Sequence, residues 1–376
     1  MPGAEVQTPG ADPCGSRKVM EAVRKYLSAA GMSEALQKAH QSGTGPVAKL
    51  EAKLREHYGK RHALCVSNAT NGLLALSIAL GLEQEPFVTT PLTYGATLSG
   101  WLHEGNRPVF ADVNPGTLTL DPELVERQIG PETKALLSVD LFGVPADDEA
   151  LRRVADENDL WYIADAAQSF GAERDGQPAS SRADALVVSF TAGKTLFAGE
   201  GAAIITDRTD LYEKLVWHTQ HPDRHKRDLR LSLDNEFSLN MRMHPLAAVW
   251  ANAAWDRALR RMEVRQSRCF KLLDVLRETG LVEEIAFKDQ GIRPAFFRVS
   301  AAWKKEAQEE KAREKEAREK ELLEVLRSRG IEAEIESASL QPIYQKPAYR
   351  AQYDETPNVT CTVAERQADR RFFLRF

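Results

Sequence analysis

Lys194 stands in the stretch SFTAGKTLFAGEGAAIIT (189–206), in a glycine-flanked turn between two apolar runs. An ammonium in such a place is costly unless it is solvated, paired or used in chemistry. Asp165 ends another apolar run, LWYIAD, which reads as a buried strand, so its carboxylate needs a cation or several donors. Taken singly, an exposed loop lysine and a helix N-cap aspartate account for both residues. Taken together they match the demands of pyridoxal phosphate. That cofactor needs a lysine amine to form a Schiff base with its aldehyde, and a carboxylate to keep its pyridine nitrogen protonated so that the ring accepts electrons. It also needs a phosphate cup and a flat side chain against the ring. The segment NATNG (68–72) opens a helix whose free amides and dipole favour a phosphate, and Thr70 and Ser189 could add hydroxyls. Tyr94, in PLTYGAT, could stack on the ring, and Gln168, three residues beyond Asp165, could reach the ring hydroxyl.

These residues need elements to carry them. Short apolar runs (HALCVS, PFVTT, PVFAD, KALLSVD, LWYIAD, ALVVSF, GAAIIT) alternate with helix-like segments, which predicts an α/β fold with a largely parallel sheet covered by helices. Ligands of such sheets gather beyond the carboxyl ends of the strands. The Asn68–Gly72 turn, Thr93 with Tyr94, Asp165 with Gln168, and Ser189 with Lys194 all fall there. An amphipathic helix, VAKLEAKLREHYG, is closed by Gly59. Residues 1–16 read as a flexible tail, 17–245 as a large domain, and 246–376, mainly helical and then mixed, as a smaller C-terminal domain. Within the latter, residues 304–321 carry 14 charges in 18 positions. Pairs such as Glu314 with Arg318 and Glu316 with Lys320 predict a solvated surface helix that extends into LLEVLRSRGI.

Composition removes other classes. The chain of 376 residues, 43% apolar and 28% charged, is that of a soluble globular protein. It has no apolar run long enough for a bilayer and no signal-peptide core at residues 1–20, so a cytoplasmic protein without a membrane partner is expected. A net charge of −5 gives no general reason to bind nucleic acid. The cysteines, Cys14, Cys65, Cys269 and Cys361, lie far apart without a CxxC pair, which indicates neither zinc nor disulfides. His218, His221 and His225 have helical spacing, but Pro222 interrupts them and no HExxH pattern accompanies them, so no metal is expected.

In chain order, YGKRHALCVSNATNGLLALSIALGL, PLTYGAT, PVFADVNPGTLTLDPE, ADAAQSFGA, SFTAGKTLFAGEGAAIIT and LNMRM resemble segments of the DegT/StrS-type sugar aminotransferases. These are fold-type I enzymes that use pyridoxal phosphate, and the similarity runs from about residue 45 to the C-terminus. The resemblance implies that Lys194 carries the Schiff base, Asp165 faces the pyridine nitrogen and Gln168 contacts the ring hydroxyl. It also implies that Ala69, Thr70 and Ser189 bind the phosphate and that Tyr94 stacks on the ring. Asn240 matches an asparagine that reaches the cofactor phosphate of a neighbouring subunit, which implies a homodimer with a shared active site. Arg242 matches an arginine near substrate. The implied reaction moves an amino group from a donor, plausibly L-glutamate, to a keto sugar or similar ketone.

Two departures stand out. The usual Ser-Gly-Thr turn is Asn68-Ala69-Thr70, and the segment after the GI motif, GIEAEIESASLQPIYQKPAY, lacks the usual histidine. Elimination, decarboxylation or bond formation with the same cofactor is the main alternative chemistry. Family dehydratases typically replace the lysine with histidine, whereas Lys194 is retained. A non-catalytic cofactor-binding regulator is a third reading, and the retention of both Lys194 and Asp165 counts against it.

Overall fold

The computed structural model describes residues 37–231, 235–283, 287, 290–304, 312–337, 340–353 and 360–376. The expected N-terminal tail and residues 305–311 of the charged segment lie outside the described residues.

The first strands are β1 (His62–Val66), β2 (Pro86–Thr89), β3 (Arg107–Phe110), β4 (Ala135–Val139), β5 (Trp161–Asp165), β6 (Glu173–Arg174), β7 (Gln177–Pro178), β8 (Ala185–Ser189) and β9 (Ala202–Thr206). Seven of them form one sheet in the order β1-β9-β8-β5-β4-β2-β3. β9 runs antiparallel to β1 and β8, and the pairs β8-β5, β5-β4, β4-β2 and β2-β3 are parallel. The mostly parallel α/β sheet is therefore present, with one reversed strand. That reversal matters for the site. The loop from β8 to β9 is a direct return between adjacent strands, and it leaves and re-enters at the edge where β1, β5 and β4 also end.

The strands read as unbroken apolar runs because both faces are covered. Along β1, Ala63 and Cys65 pack into one core while Leu64 and Val66 pack into the other. β8 does the same with Leu186 and Val188 against Ala185 and Val187. Helix α1 (Pro46–Tyr58) places Val47, Leu50, Leu54 and Tyr58 on one buried face and ends at Gly59, whose φ of 63° is the left-handed cap that glycine favours. Helix α2 (Ala69–Leu80) lies so close on the sheet that a Cβ at Gly72 would sit 3.1 Å from Val187 Cγ1. Helix α3 (Gly95–His103) packs alongside α2.

Helix α4 (Pro245–Thr279) is 35 residues long, a span of about 50 Å. Its first half, through Ala248, Ala251 and Trp255, belongs to the core of the large sheet. Its second half, through Cys269, Leu272 and Leu276, belongs to a separate core. β10 (Ile292–Arg293) joins the β6–β7 hairpin as a three-stranded sheet. β11 (Val299–Ala302), helix α5 (Ala312–Ser328), β12 (Glu334–Ser337), helix α6 (Thr362–Arg370) and β13 (Arg371–Arg375) follow. β11, β13 and β12 make an antiparallel sheet over the second core. The charged helix docks there through Leu322 and Leu326, both fully buried, and through the Arg318 guanidinium, 4.3 Å from the Trp303 ring centroid. Its solvated sequence hides a cationic side chain that buries by stacking.

A buried ion pair ties the first helix to the segment around residue 224 and to β1. Arg224, 1% exposed, donates to both carboxylate oxygens of Glu51 at 3.0 Å, and Glu51 also accepts the Cys65 N–H at 2.8 Å. Arg224 keeps a second carboxylate, Asp228, whose Oδ2 accepts from its Nε at 3.0 Å, so Glu51→Ala removes half of the guanidinium's partners and strands the Cys65 amide. It should lower stability by about 2–3 kcal/mol in urea unfolding.

Candidate active site

Asp165 ends β5 at the centre of the sheet, flanked by β4 and β8, and is 7% exposed. Its Oδ2 accepts from Thr97 Oγ1 at 2.6 Å and its Oδ1 from the Ala167 N–H at 3.0 Å. Thr97 belongs to the first turn of α3 and shares a 2.7 Å hydrogen bond with Thr93 Oγ1. That chain anchors the loop carrying Tyr94, whose ring is 73% exposed. Burial raises the Asp165 pKa, while the Thr97 hydroxyl, the Ala167 amide and the charge of Lys194 act against it. Among the described residues no cation lies within ion-pair distance of this carboxylate.

Lys194 is held in the β8–β9 loop, where its N–H donates to the Thr191 carbonyl at 3.2 Å and the Ala198 N–H closes onto Phe190 at 2.8 Å. Burial lowers its pKa and the Asp165 charge opposes the shift. The two groups thus feel each other without forming a salt bridge. Lys194 Nζ lies 4.3 Å from the centroid of the Phe297 ring, which comes from the segment before β11.

At the start of α2, Asn68 caps the helix by accepting the Asn71 N–H at 2.8 Å, and Asn71 Nδ2 donates to Ser67 Oγ at 2.8 Å. The amides of Ala69 and Thr70, in the first turn, precede any intrahelical acceptor and are open to an anion. Asn68 has extended backbone (φ −163°, ψ 170°) and Ala69 is already helical. Position 69 therefore has no need of glycine, which explains how the Ser-Gly-Thr departure is tolerated. Ser189 is buried beside this edge, its Oγ 3.1 Å from Thr191 Oγ1.

Gln168 Oε1 accepts the Phe142 N–H at 2.8 Å, so its amide nitrogen is the end left to meet a phenolic oxygen. The strip Asn240–Arg242 lies against the other side of the α2 entrance. Ser67 N–H donates to the Met241 carbonyl at 2.8 Å, and Val66 and Arg242 form an antiparallel bridge. Asn240, at φ 53°, turns its Oδ1 to accept from Arg242 Nε at 2.6 Å. These two side chains border a cavity of about 360 Å³ lined also by His40, Gly43, Cys65 and His244.

Asp165, Lys194, Gln168, Ser189 and the α2 amides thus share one edge of the sheet, with the Tyr94 loop tied to it. Asn240 and Arg242 stand beside the α2 entrance. Three neighbours escaped the sequence reading. Thr97 had a signal, its spacing of four from Thr93 on one helical face; Phe297 and Asp140, discussed below, had none. Among the described residues no group of His, Cys, Asp and Glu is placed to hold a metal. His225 is buried with Nε2 at 3.0 Å from the Val216 carbonyl.

The donor set fits pyridoxal phosphate: a desolvated amine, a buried carboxylate lacking a cation, and open helix amides for the phosphate. With the mostly parallel sheet and its one reversed strand, it defines the class as the fold-type I pyridoxal phosphate enzymes. Residues 28–375 match the DegT/DnrJ/EryC1/StrS aminotransferase family, and the chain belongs to that pyridoxal phosphate-dependent family.

Among curated relatives, UDP-2-acetamido-2-deoxy-3-oxo-D-glucuronate aminotransferase of Pseudomonas aeruginosa is 34% identical over 51% of this chain and 54% of its own length. The dTDP-3-amino-3,4,6-trideoxy-alpha-D-glucose transaminase of Micromonospora megalomicea is 37% identical over 47% of this chain and 49% of its own length. The chain thus spans about half the length of these relatives in the matched region. Over 98% of the chain and 93% of the other, the fold is similar to an aminotransferase from Psychrobacter cryohalolentis, with a TM-score of 0.79 at 21% identity.

Asp165 ionises at a cost to stability. Its raised pKa means that the folded protein holds a proton which the unfolded chain has already released, so stability falls as pH rises from the ordinary carboxylate range through the raised value. Asp165→Asn should therefore raise the melting temperature of the cofactor-free protein at pH 8. The gain should shrink as pH falls toward 4, as calorimetry across that range would register.

Proposed function

We propose that the protein is a pyridoxal phosphate-dependent aminotransferase that aminates the keto group of a nucleotide-linked sugar, with L-glutamate as donor. The observation that carries this reading is that one edge of the sheet brings Lys194, an amine whose pKa burial lowers, near Asp165, a buried carboxylate with no cation at ion-pair distance among the described residues. Bound, pyridoxal phosphate supplies an aldehyde that takes and returns an amino group and a ring that accepts electrons.

The chain's residues do the rest. Asp165, which accepts only from Thr97 and the Ala167 amide among the described residues, would hold a proton on the pyridine nitrogen. The amides of Ala69 and Thr70, with Ser189, would take the phosphate, and the Gln168 amide would donate to the ring oxygen. Tyr94, free of packing partners over most of its ring, would close over the cofactor. Lys194 Nζ would carry the proton from the donor's α-carbon to the carbon of the cofactor's aldehyde, and in the half-reaction with the acceptor would carry a proton the opposite way, onto the acceptor's former carbonyl carbon. Its desolvation raises the fraction of neutral amine at a given pH, as that role demands. The relatives support the acceptor class: two of them are named for amino or oxo sugars linked to UDP or dTDP.

Asn240 and Arg242 would complete the site of a second copy. Phe237 is 93% exposed and Leu239 50% exposed immediately before them, and Leu246 is 37% exposed just after. Such an apolar strip beside two polar site candidates fits a homodimer whose protomers share their sites.

Two experiments test these readings. Lys194→Ala should lose the protein-bound visible band that wild type forms with pyridoxal phosphate, leaving the absorption of the free aldehyde, and should lose at least about 1000-fold in activity with L-glutamate and a keto-sugar nucleotide, in line with removal of a proton-transfer and covalent group. A band that L-glutamate leaves unchanged in the wild type would turn the reading toward other donors or elimination. Phe237→Glu should convert a dimer to a monomer in light scattering, with loss of cofactor affinity.

A further inference from the structure

The turn that carries Asp165 and Gln168 is held from below by a residue with no part in the chemistry described so far. Asp140 follows β4, and its N–H donates to the Asp165 carbonyl at 3.1 Å. Its side chain is completely buried. Oδ2 accepts from Ser169 Oγ at 2.6 Å and Ser180 Oγ at 2.8 Å, and Oδ1 accepts from the Ala146 N–H at 2.9 Å. Among the described residues no cation pairs with it; Asp148, Tyr58 and Tyr162 are the titratable groups that feel its charge. Burial pushes its pKa up to about 6, against the pull of the three donors, so that at pH 8 it is an anion.

A carboxylate is the side chain suited to this branch point. It is an acceptor at both oxygens, and it takes donors from three segments: the turn after β5, the residues after β7, and the approach to the helix Asp148–Glu157. An amide would have to donate with one arm.

The same short stretch reaches further. Phe142, at φ 58°, gives its N–H to Gln168 Oε1. Gly143, at φ 83°, approaches so closely that a Cβ there would lie 2.8 Å from the Gln168 carbonyl oxygen and 2.9 Å from Ala295 Cβ. Its carbonyl accepts the Ala295 N–H at 2.8 Å, two residues before Phe297.

We propose that Asp140 is a positioning residue: by holding Ser169 and Ser180 it fixes the Asp165–Ser169 turn, and so presents the Gln168 amide to the cofactor ring. The inference rests on the reading of Lys194 and Gln168 as cofactor residues. An anchor made from a buried charge tolerates less displacement than one made from packing, because each lost hydrogen bond leaves a desolvated partner behind.

The test uses the full-length protein loaded with pyridoxal phosphate at pH 8, reading the wavelength of the Lys194-dependent visible band and the cofactor affinity, with the melting temperature as control. Gln168→Ala and Asp140→Ala should shift the band in the same direction, and each should weaken cofactor binding by about fivefold, the worth of one hydrogen bond. The double substitution should add little to either single one, since both cut the same link. Asp140→Asn, which keeps one acceptor oxygen, should recover part of the wild-type spectrum. Should Asp140→Ala fail to fold, Ser169→Ala severs the link from the turn side and carries the same expectation.

Wild-type wavelength and affinity in Asp140→Ala or Ser169→Ala, with only the melting temperature lowered, would overturn the inference alone. So would additive effects in the double variant. A band that survives Lys194→Ala would overturn the cofactor reading and this inference with it.

Discussion

A carboxylate is kept ionisable at the end of a central strand with a hydroxyl and an amide as its contacts and, among the described residues, no cation touching it. Asp165 can occupy that position because β4 and β8 brace its strand on both sides and Thr97 gives up its hydroxyl to it. Much of the surrounding architecture answers to this arrangement. The β8–β9 loop brings an amine near enough to couple with the carboxylate but not to neutralise it. The α3 helix is pinned at its first turn by the threonine that serves Asp165. The cost of holding both groups out of water falls on a sheet whose two faces are otherwise filled by apolar side chains, and that sheet is the element best able to bear it.

The parts of the fold legible in the sequence are those where burial dictates residue type. Runs such as ALVVSF and GAAIIT announce strands covered on both faces, and the polar residues that end them mark the working edge. Strand direction leaves no such trace. β9 has the same burial pattern as β8, yet it runs the other way, and only the length of the intervening loop hints at a direct return. The amphipathic pattern of α1 is plain, but the bidentate pairing of its Glu51 with Arg224 joins residues 173 apart and cannot be read from local spacing.

Within the site, legibility follows sequence distance. Asp165 and Gln168 lie in one turn and could be related by counting. Phe297 meets Lys194 only because α4 and the β10 segment fold back over the sheet edge, and an isolated FF pair carries no mark of that. Arg318 shows the converse. Its neighbours make the segment read as wholly solvated, while the side chain stacks on Trp303, because a guanidinium has a flat face that packs like an aromatic and so escapes any count of apolar residues.

Helix α4 is rooted in two cores at once, with Trp255 under the large sheet and Leu272 and Leu276 under the small one. A continuous rod of this kind acts as a strut between the two bodies. The small sheet cannot swing toward Lys194 as a hinged lid without bending it, and bending a helix requires lengthening hydrogen bonds along one side.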